Sequence, residues 1–295
     1  MTALHLAPLA SALIVAVFAA LVFRRYAARG GLHFLCWGVG LSLFGAASLA
    51  EALAPALWHP LVFRVWYLAG AVLSAAWIGQ GTLYLLAGVR LPTVLAALVL
   101  GYGGAAALFG ALARWGLTGP ILVVLIALCG AIFAGLLYRL VLRRWDPRRL
   151  AGALTVLLAA ASLLAAAVLL ATPVDASRFD PRQPLSVQYR ALLPPGAAVR
   201  RLTPAFNIYG TVALVGGAVY SAWLMRRQAL PARRVVGNGL IAAGALAIAF
   251  ASTLTRLGVA DALYLGQVVA AGLMFGGFLL ASSRTEGRRT EGASQ

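Results

Sequence analysis

Residues 4–26 read LHLAPLASALIVAVFAALVFRRY: twenty residues without a formal charge, followed by Arg24 and Arg25. Twenty helical residues rise about 30 Å, the thickness of the hydrocarbon core of a bilayer. No basic residue precedes the stretch and an arginine pair follows it, so it reads as a retained membrane anchor and not as a cleaved signal peptide. Working outward, the same test selects nine stretches: 4–23, 32–54, 61–88, 92–113, 119–142, 150–172, 205–225, 235–255 and 262–283. The fourth and fifth are parted only by Arg114, Trp115 and Gly116. If that turn is a break in one re-entrant element, the count falls to eight. The third stretch exceeds what a bilayer needs and is expected to tilt or to project from one face.

The expected fold is therefore all-α, a polytopic transmembrane bundle in a cytoplasmic membrane, with one membrane-embedded domain over 1–283. The tail 284–295 contains Thr-Glu-Gly twice and almost nothing apolar, and is expected to be disordered. Composition agrees with the class: 62% of residues are hydrophobic, 11% are charged, and the mean hydropathy is +0.92. All 24 basic residues are arginine. Without lysine there is no retinal or pyridoxal Schiff base, no phosphate-loop lysine and no amine nucleophile.

Orientation follows from the arginines. With the N-terminus outside, sixteen fall on cytoplasmic segments, among them Arg24, Arg25, Arg29, Arg143, Arg144, Arg226 and Arg227. Five of the remaining eight, Arg178, Arg182, Arg190, Arg200 and Arg201, lie in one long external loop over 173–204, which counts for less than short hairpins. An odd number of spans then leaves the C-terminus in the cytoplasm. The net charge of +17 becomes mainly a statement of topology: anionic inner-leaflet lipids are the expected partners, a protein docking on the basic cytoplasmic hairpins is a further one, and nucleic acid is not.

Three cytoplasmic hairpins begin alike, at Leu21-Val22-Phe23-Arg24-Arg25, Leu140-Val141-Leu142-Arg143-Arg144 and Trp223-Leu224-Met225-Arg226-Arg227. Ala47-Ser48 further matches Ala251-Ser252, and Tyr67-Leu68 matches Tyr264-Leu265. These matches suggest a parallel repeat relating 4–88 to 205–283, with a site between the halves. The competing explanation is that orientation alone puts arginine pairs at cytoplasmic helix ends, while Ala and Leu match by chance. Only Gly272 and Gly276 form a Gly-x-x-x-Gly pair, so the glycines read as general close-packing positions.

No charge falls mid-span; each lies at a helix end or in a loop, which argues against a buried carboxylate relay and an ion-coupled pump. One level near the outer face gathers Glu51, Arg64, Trp66, Tyr67, Asn207, Tyr209, Arg256 and Asp261. As a pocket, these would seat an anionic or amphiphilic, lipid-like molecule, with an arginine on the anion and aromatics on the apolar body. The favoured alternative is local: ion pairs Glu51–Arg64 and Arg256–Asp261 within an interfacial aromatic belt. The loop arginines suit phosphate or carboxylate, and its aromatics and prolines point to an ordered cap. Gln80 and Gln267, within the membrane, are explained by interhelical hydrogen bonds, or else by lining a cavity.

Catalytic chemistry has little material. Cys36 and Cys129 sit inside separate spans, giving neither a disulfide framework nor a zinc site. No metal and no cofactor is expected: of His5, His33 and His59 only the first and last share a depth, and His59 is in a loop, so a bis-histidine haem is disfavoured. No Ser-His-acid set or His-Glu-x-x-His occurs. The expectation is a non-catalytic binding or transport protein. A scaffold or sensor-like subunit is one alternative; the other is an enzyme acting on a lipid-linked substrate through Glu51 with His59, or Asp175 with Asp180.

Overall fold

The computed structural model of the chain describes residues 6–87, isolated positions between 93 and 100, 120–227, 232–256, 259 and 262–282; within the helices some side chains, that of Arg256 included, are not described. The expected fourth span at 92–113, the turn at Arg114, Asp261 and the tail 284–295 fall largely or wholly outside the described residues.

Every regular element among the described residues is helical. The long helices are α1 (Ala7–Arg29), α2 (Leu32–Leu53), α3 (Pro60–Leu85), α4 (Pro120–Leu140) and α5 (Pro147–Ala171). They are followed by the short α6 (Leu185–Leu192), then α7 (Ala198–Arg227), α8 (Ala232–Arg256) and α9 (Ala262–Ser282). By length and composition α1, α2, α3, α5 and α9 are able to cross a membrane, and α5 turns Val156, Leu157, Leu163, Leu164 and Leu170 outward. Such a contiguous apolar exterior is what a lipid-facing surface requires.

Local chemistry sets the boundaries. Proline occupies the first turn of α1, α3 and α5, where its missing N–H costs nothing. His59 caps α3, its Nδ1 accepting from Leu61 N–H at 3.1 Å, and Asp146 caps α5 by accepting from Arg148 N–H at 3.1 Å. The turn between α1 and α2 is Gly30-Gly31 with φ of 67° and 97°, backbone that a side chain would strain. Arg24, Arg25 and Arg29, expected beyond the first span, lie on the last turns of α1, where cations face the negative end of the helix dipole.

The third stretch is a single helix with a π-helical centre over Trp66–Leu73. A π-turn accommodates one residue more than the α-helix around it. α7 starts at Ala198, seven residues before the expected 205, so Asn207 and Tyr209 lie in its third and fourth turns and do not open it.

α1 packs on α2, α2 on α3, α3 on α7, α7 on α8, α8 on α9 and α9 back on α1, closing a ring of six helices; α5 lies outside against α3 and α7. Close approach in the ring depends on glycine. A Cβ at Gly40 would sit 2.7 Å from Ile78 N and 3.1 Å from Ser74 O, and one at Gly244 would sit 3.2 Å from Met274 N and 2.9 Å from Ala270 O. Likewise Gly70 abuts Ala47 Cβ and Gly266 abuts Ala251 Cβ, while Gly81 lies against His33 O and Gly277 against Gly237 O. The two helical hairpins thus make three matching contacts at constant spacing: 33, 40 and 47 correspond to 237, 244 and 251 on one helix, and 70, 74, 78 and 81 to 266, 270, 274 and 277 on the other.

Candidate functional site

The connection from α5 to α7 folds over the end of the ring that carries the start of α3. Leu185, Leu192, Leu193, Ala197 and Val199 join Phe63, Trp66 and Tyr67 in one buried cluster. Trp58 stacks on Phe179, with ring centroids 3.7 Å apart and planes 5° apart. Asp175 N–H donates to Leu192 O at 3.0 Å, joining the two ends of the cap. Gln188, buried, accepts from Asp180 N–H at 2.9 Å and donates to the carbonyls of Asp180 and Gln183 at 3.0 and 2.8 Å. An amide that uses both of its ends locally in this way holds irregular backbone in one conformation.

Glu51 lies beneath this cap, on the last turn of α2. Its side chain is 3% exposed. Its Oε2 accepts from Trp66 Nε1–H at 3.3 Å and from Gln267 Nε2–H at 3.2 Å; its Oε1 is buried without a partner, as is Oε1 of Gln267. Ser48, one turn earlier on α2, is 1% exposed with its hydroxyl also unpartnered. Unpaired polar atoms at such burial are rare because each costs roughly 1–3 kcal/mol.

A charge at a helix end was expected to argue against a buried carboxylate, yet Glu51 is buried at the end of α2. The end of α2 is covered by the turn at 54–59, by α3 and by the cap, so a helix-end carboxyl becomes an interior one. The expected Glu51–Arg64 ion pair does not form. Arg64 lies on α3 but donates from Nη2 to Thr172 O at 3.0 Å, tying α3 to the end of α5, and its Nε is buried without a partner. The expected partner pair of Arg256 and Asp261 falls outside the described side chains.

The other candidate residues divide by location. Trp66 is the one that reaches Glu51. Tyr67 bonds through its hydroxyl to Thr203 Oγ1 at 3.0 Å and meets Tyr189 of the cap at a 6.0 Å ring separation. Asn207 Nδ2 donates to Ala71 O at 2.9 Å, binding α7 to the π-helical turn. Tyr209 donates to Gln80 Oε1, well below Glu51. Gln80 Nε2 in turn donates to Ala151 O at 2.8 Å and Thr155 Oγ1 at 2.7 Å. Its hydrogen bonding is complete, which makes it a tie between α3, α5 and α7.

Among the loop arginines, Arg178 pairs with Asp175 at 2.9 Å, Arg190 Nε donates to Tyr189 Oη at 3.2 Å, and Arg200 donates to Pro194 O at 3.3 Å. Arg182 and Arg201 are exposed. The Asp175 carboxyl is held below its ordinary range, first by the Ser177 hydroxyl and then by Ser177 N–H and Arg178. His59 is committed to capping α3 and Asp175 to the Ser177 turn, so neither proposed acid–base pair is assembled by a hydrogen bond. No cluster of three or more metal-ligating side chains occurs among the described residues.

Sequence reasoning missed Ser48 as part of the site, although Ser48 and Glu51 have the three-residue spacing that puts both on one helix face. It also missed the π-helical turn, which carries Trp66. Compared with known family models, characterised proteins and solved structures, the chain matches none.

Proposed function

We propose that the chain is a nine-span protein of a cytoplasmic membrane, with its N-terminus outside, that binds or carries a small solute without chemistry at the Glu51 site beneath the cap. The single observation that carries this reading is the buried carboxyl of Glu51 facing Gln267 with an oxygen unpartnered on each. A group kept buried at such a cost is retained for what it binds. The distribution of arginines supports the orientation. The lack of any assembled nucleophile, base or metal cluster among the described residues favours binding over catalysis.

The matching contacts of α2–α3 and α8–α9 support reading α1–α3 and α7–α9 as two copies of one unit. The ring order fits this, since exchanging the copies turns the α3–α7 contact into α9–α1. Glu51 belongs to one copy and Gln267 to the other, so the site lies where duplicated carriers bind their solutes, between the halves.

The free oxygens of Glu51 and Gln267 are acceptors, and the Arg64 guanidinium is turned to Thr172 O. A solute bearing a positive charge or a hydrogen-bond donor therefore fits better than the anion that the arginines suggested. The full chain in detergent, challenged with small amines and small carboxylates, is expected to be stabilised by amines, with a gain of about 2.7 kcal/mol at a hundredfold excess over Kd, and to lose that response in Glu51→Gln. Stabilisation by carboxylates, kept in Glu51→Gln but lost in Arg64→Gln, returns the site to the anionic class.

A further inference from the structure

We propose that Glu51 and Gln267 form a proton-binding site, in which Glu51 is protonated when no solute is bound and its hydrogen bridges the two free oxygens. The argument rests on reading the Glu51 cluster as the binding site, and it begins from the groups left over. Gln267 Nε2–H already donates to Glu51 Oε2. What remains is Glu51 Oε1 and Gln267 Oε1, both buried and both without a donor. A carboxylic acid and a primary amide pair through two bonds, amide N–H to acid oxygen and acid O–H to amide oxygen. One proton on Glu51 Oε1 completes that pair and satisfies both oxygens at once.

Among the described side chains, the surroundings do not supply a competing positive charge. α1 carries no charged side chain between Ala7 and Phe23, and α9 none between Ala262 and Ser282. The hydroxyl of Tyr67 on α3 is engaged with Thr203, and Tyr264 on α9 is buried. Arg64 on α3 is bonded to Thr172 O and makes no ion pair with Glu51. A metal cation is a poorer occupant. Hard cations take about six oxygen ligands, and among the described side chains at the site only Glu51 Oε1, Gln267 Oε1 and the Ser48 hydroxyl are free. The proton needs two.

Binding is then an exchange. A cationic solute arriving at Glu51 displaces the proton, which leaves to water, and the net charge of the site returns to zero. Solute release reverses the step. A membrane protein with this arrangement moves its solute against a proton, which is a coupling the positions of the charges along the sequence had argued against.

Infrared spectroscopy of the purified full chain, with no solute present, tests the proton directly and so separates this proposal from solute binding. At neutral pH the wild type is expected to display the carbonyl band of a neutral carboxylic acid, shifted by deuterium exchange and missing from Glu51→Gln. In Gln267→Leu the band is expected to persist and move to higher frequency, because the acid O–H has lost its acceptor. That variant keeps the test decisive if Glu51→Gln fails to fold. Absence of the band from the wild type overturns the proposal. So does a band abolished by sodium chloride but untouched by choline chloride, which assigns the seat to a metal cation.

Discussion

Gln267 donates to Glu51 across 216 residues of sequence, over 3.2 Å, with both side chains buried. The bond joins the last long helix to the second and leaves each partner one oxygen short. Its energetics are separable by a double-mutant cycle. Glu51→Leu alone strands the donors of Gln267 and Trp66 and is expected to cost about 1–3 kcal/mol. Glu51→Leu with Gln267→Leu removes both ends of the bond and is expected to recover much of that loss. Thermal unfolding of the four proteins reads the coupling; strictly additive losses would mean that the two side chains do not act as a pair.

The two hairpins differ by one residue. Tyr67-Leu68 corresponds to Tyr264-Leu265, but Gly70 corresponds to Gly266, so Ala69 has no counterpart, and it lies within the π-helical turn. Deleting Ala69 is expected to convert the turn to plain α-helix and yield a folded, monodisperse protein. Deleting Ala270 from α9, which has no such turn, rotates everything beyond it by about 100° and is expected to abolish folding. Equal damage from the two deletions would count against an inserted residue.

Gly40 and Gly244 make equivalent contacts, each against the backbone of the next helix. Alanine at either position forces the helices apart and is expected to cost roughly 1–3 kcal/mol. Alanine at Gly135 or Gly152, around which a Cβ would meet nothing within 4 Å, is expected to be neutral or slightly stabilising. Melting temperatures of the four variants check the contrast.

The cap is held by its buried leucines. Leu192→Ala is expected to cost about 2–5 kcal/mol of local stability, to loosen the Trp58–Phe179 stack and to expose the segment 173–197 to protease. The ring beneath is expected to survive, so that cleavage yields two large fragments and not general digestion.

Acid acts on the same segment through Asp175. Its folded pKa is depressed by Ser177 and Arg178, so its contribution is fully present above the ordinary Asp value of about 3.9 and is lost as pH falls through the lower folded value. Proteolysis of the cap with an acid-active protease is expected to accelerate over that window in the wild type. In Asp175→Asn the rate is expected to be raised already and to change less with pH.

Part of the architecture was readable because hydrophobic length is a one-dimensional signal: α2 (Leu32–Leu53) ends one residue short of the stretch 32–54, while α1 (Ala7–Arg29) runs past 23 because its arginines stay helical. The errors were local. Ala198–Leu202 is helical although Arg200 and Arg201 interrupt its apolar run, since packing of Val199 beneath the cap outweighs the polarity of its neighbours. For the site, the residue types were legible and their partners were not. Glu51 and Arg64 are close along the chain and share a depth, which suggests an ion pair. Helix rotation decides otherwise, sending Glu51 towards α9 and Arg64 towards α5. The matches at Tyr67 and Tyr264 did contain the π-turn, as a change of spacing from 197 to 196 between Leu68 and Gly70, but only the glycine contacts make that one-residue step visible.

The return of α9 to α1 has a kinetic consequence. Phe18 of α1 is covered by Phe275 and Phe278, at ring separations of 5.5 and 5.0 Å, and Arg25 reaches Ser282 across 257 residues. α1 is made long before α9 and is therefore covered late. Contacts of such sequence separation form slowly, and until α9 arrives Phe18 lacks the cover that Phe275 and Phe278 give it. Until then the nascent protein has an open seam there, at which truncated or stalled chains are expected to mispair.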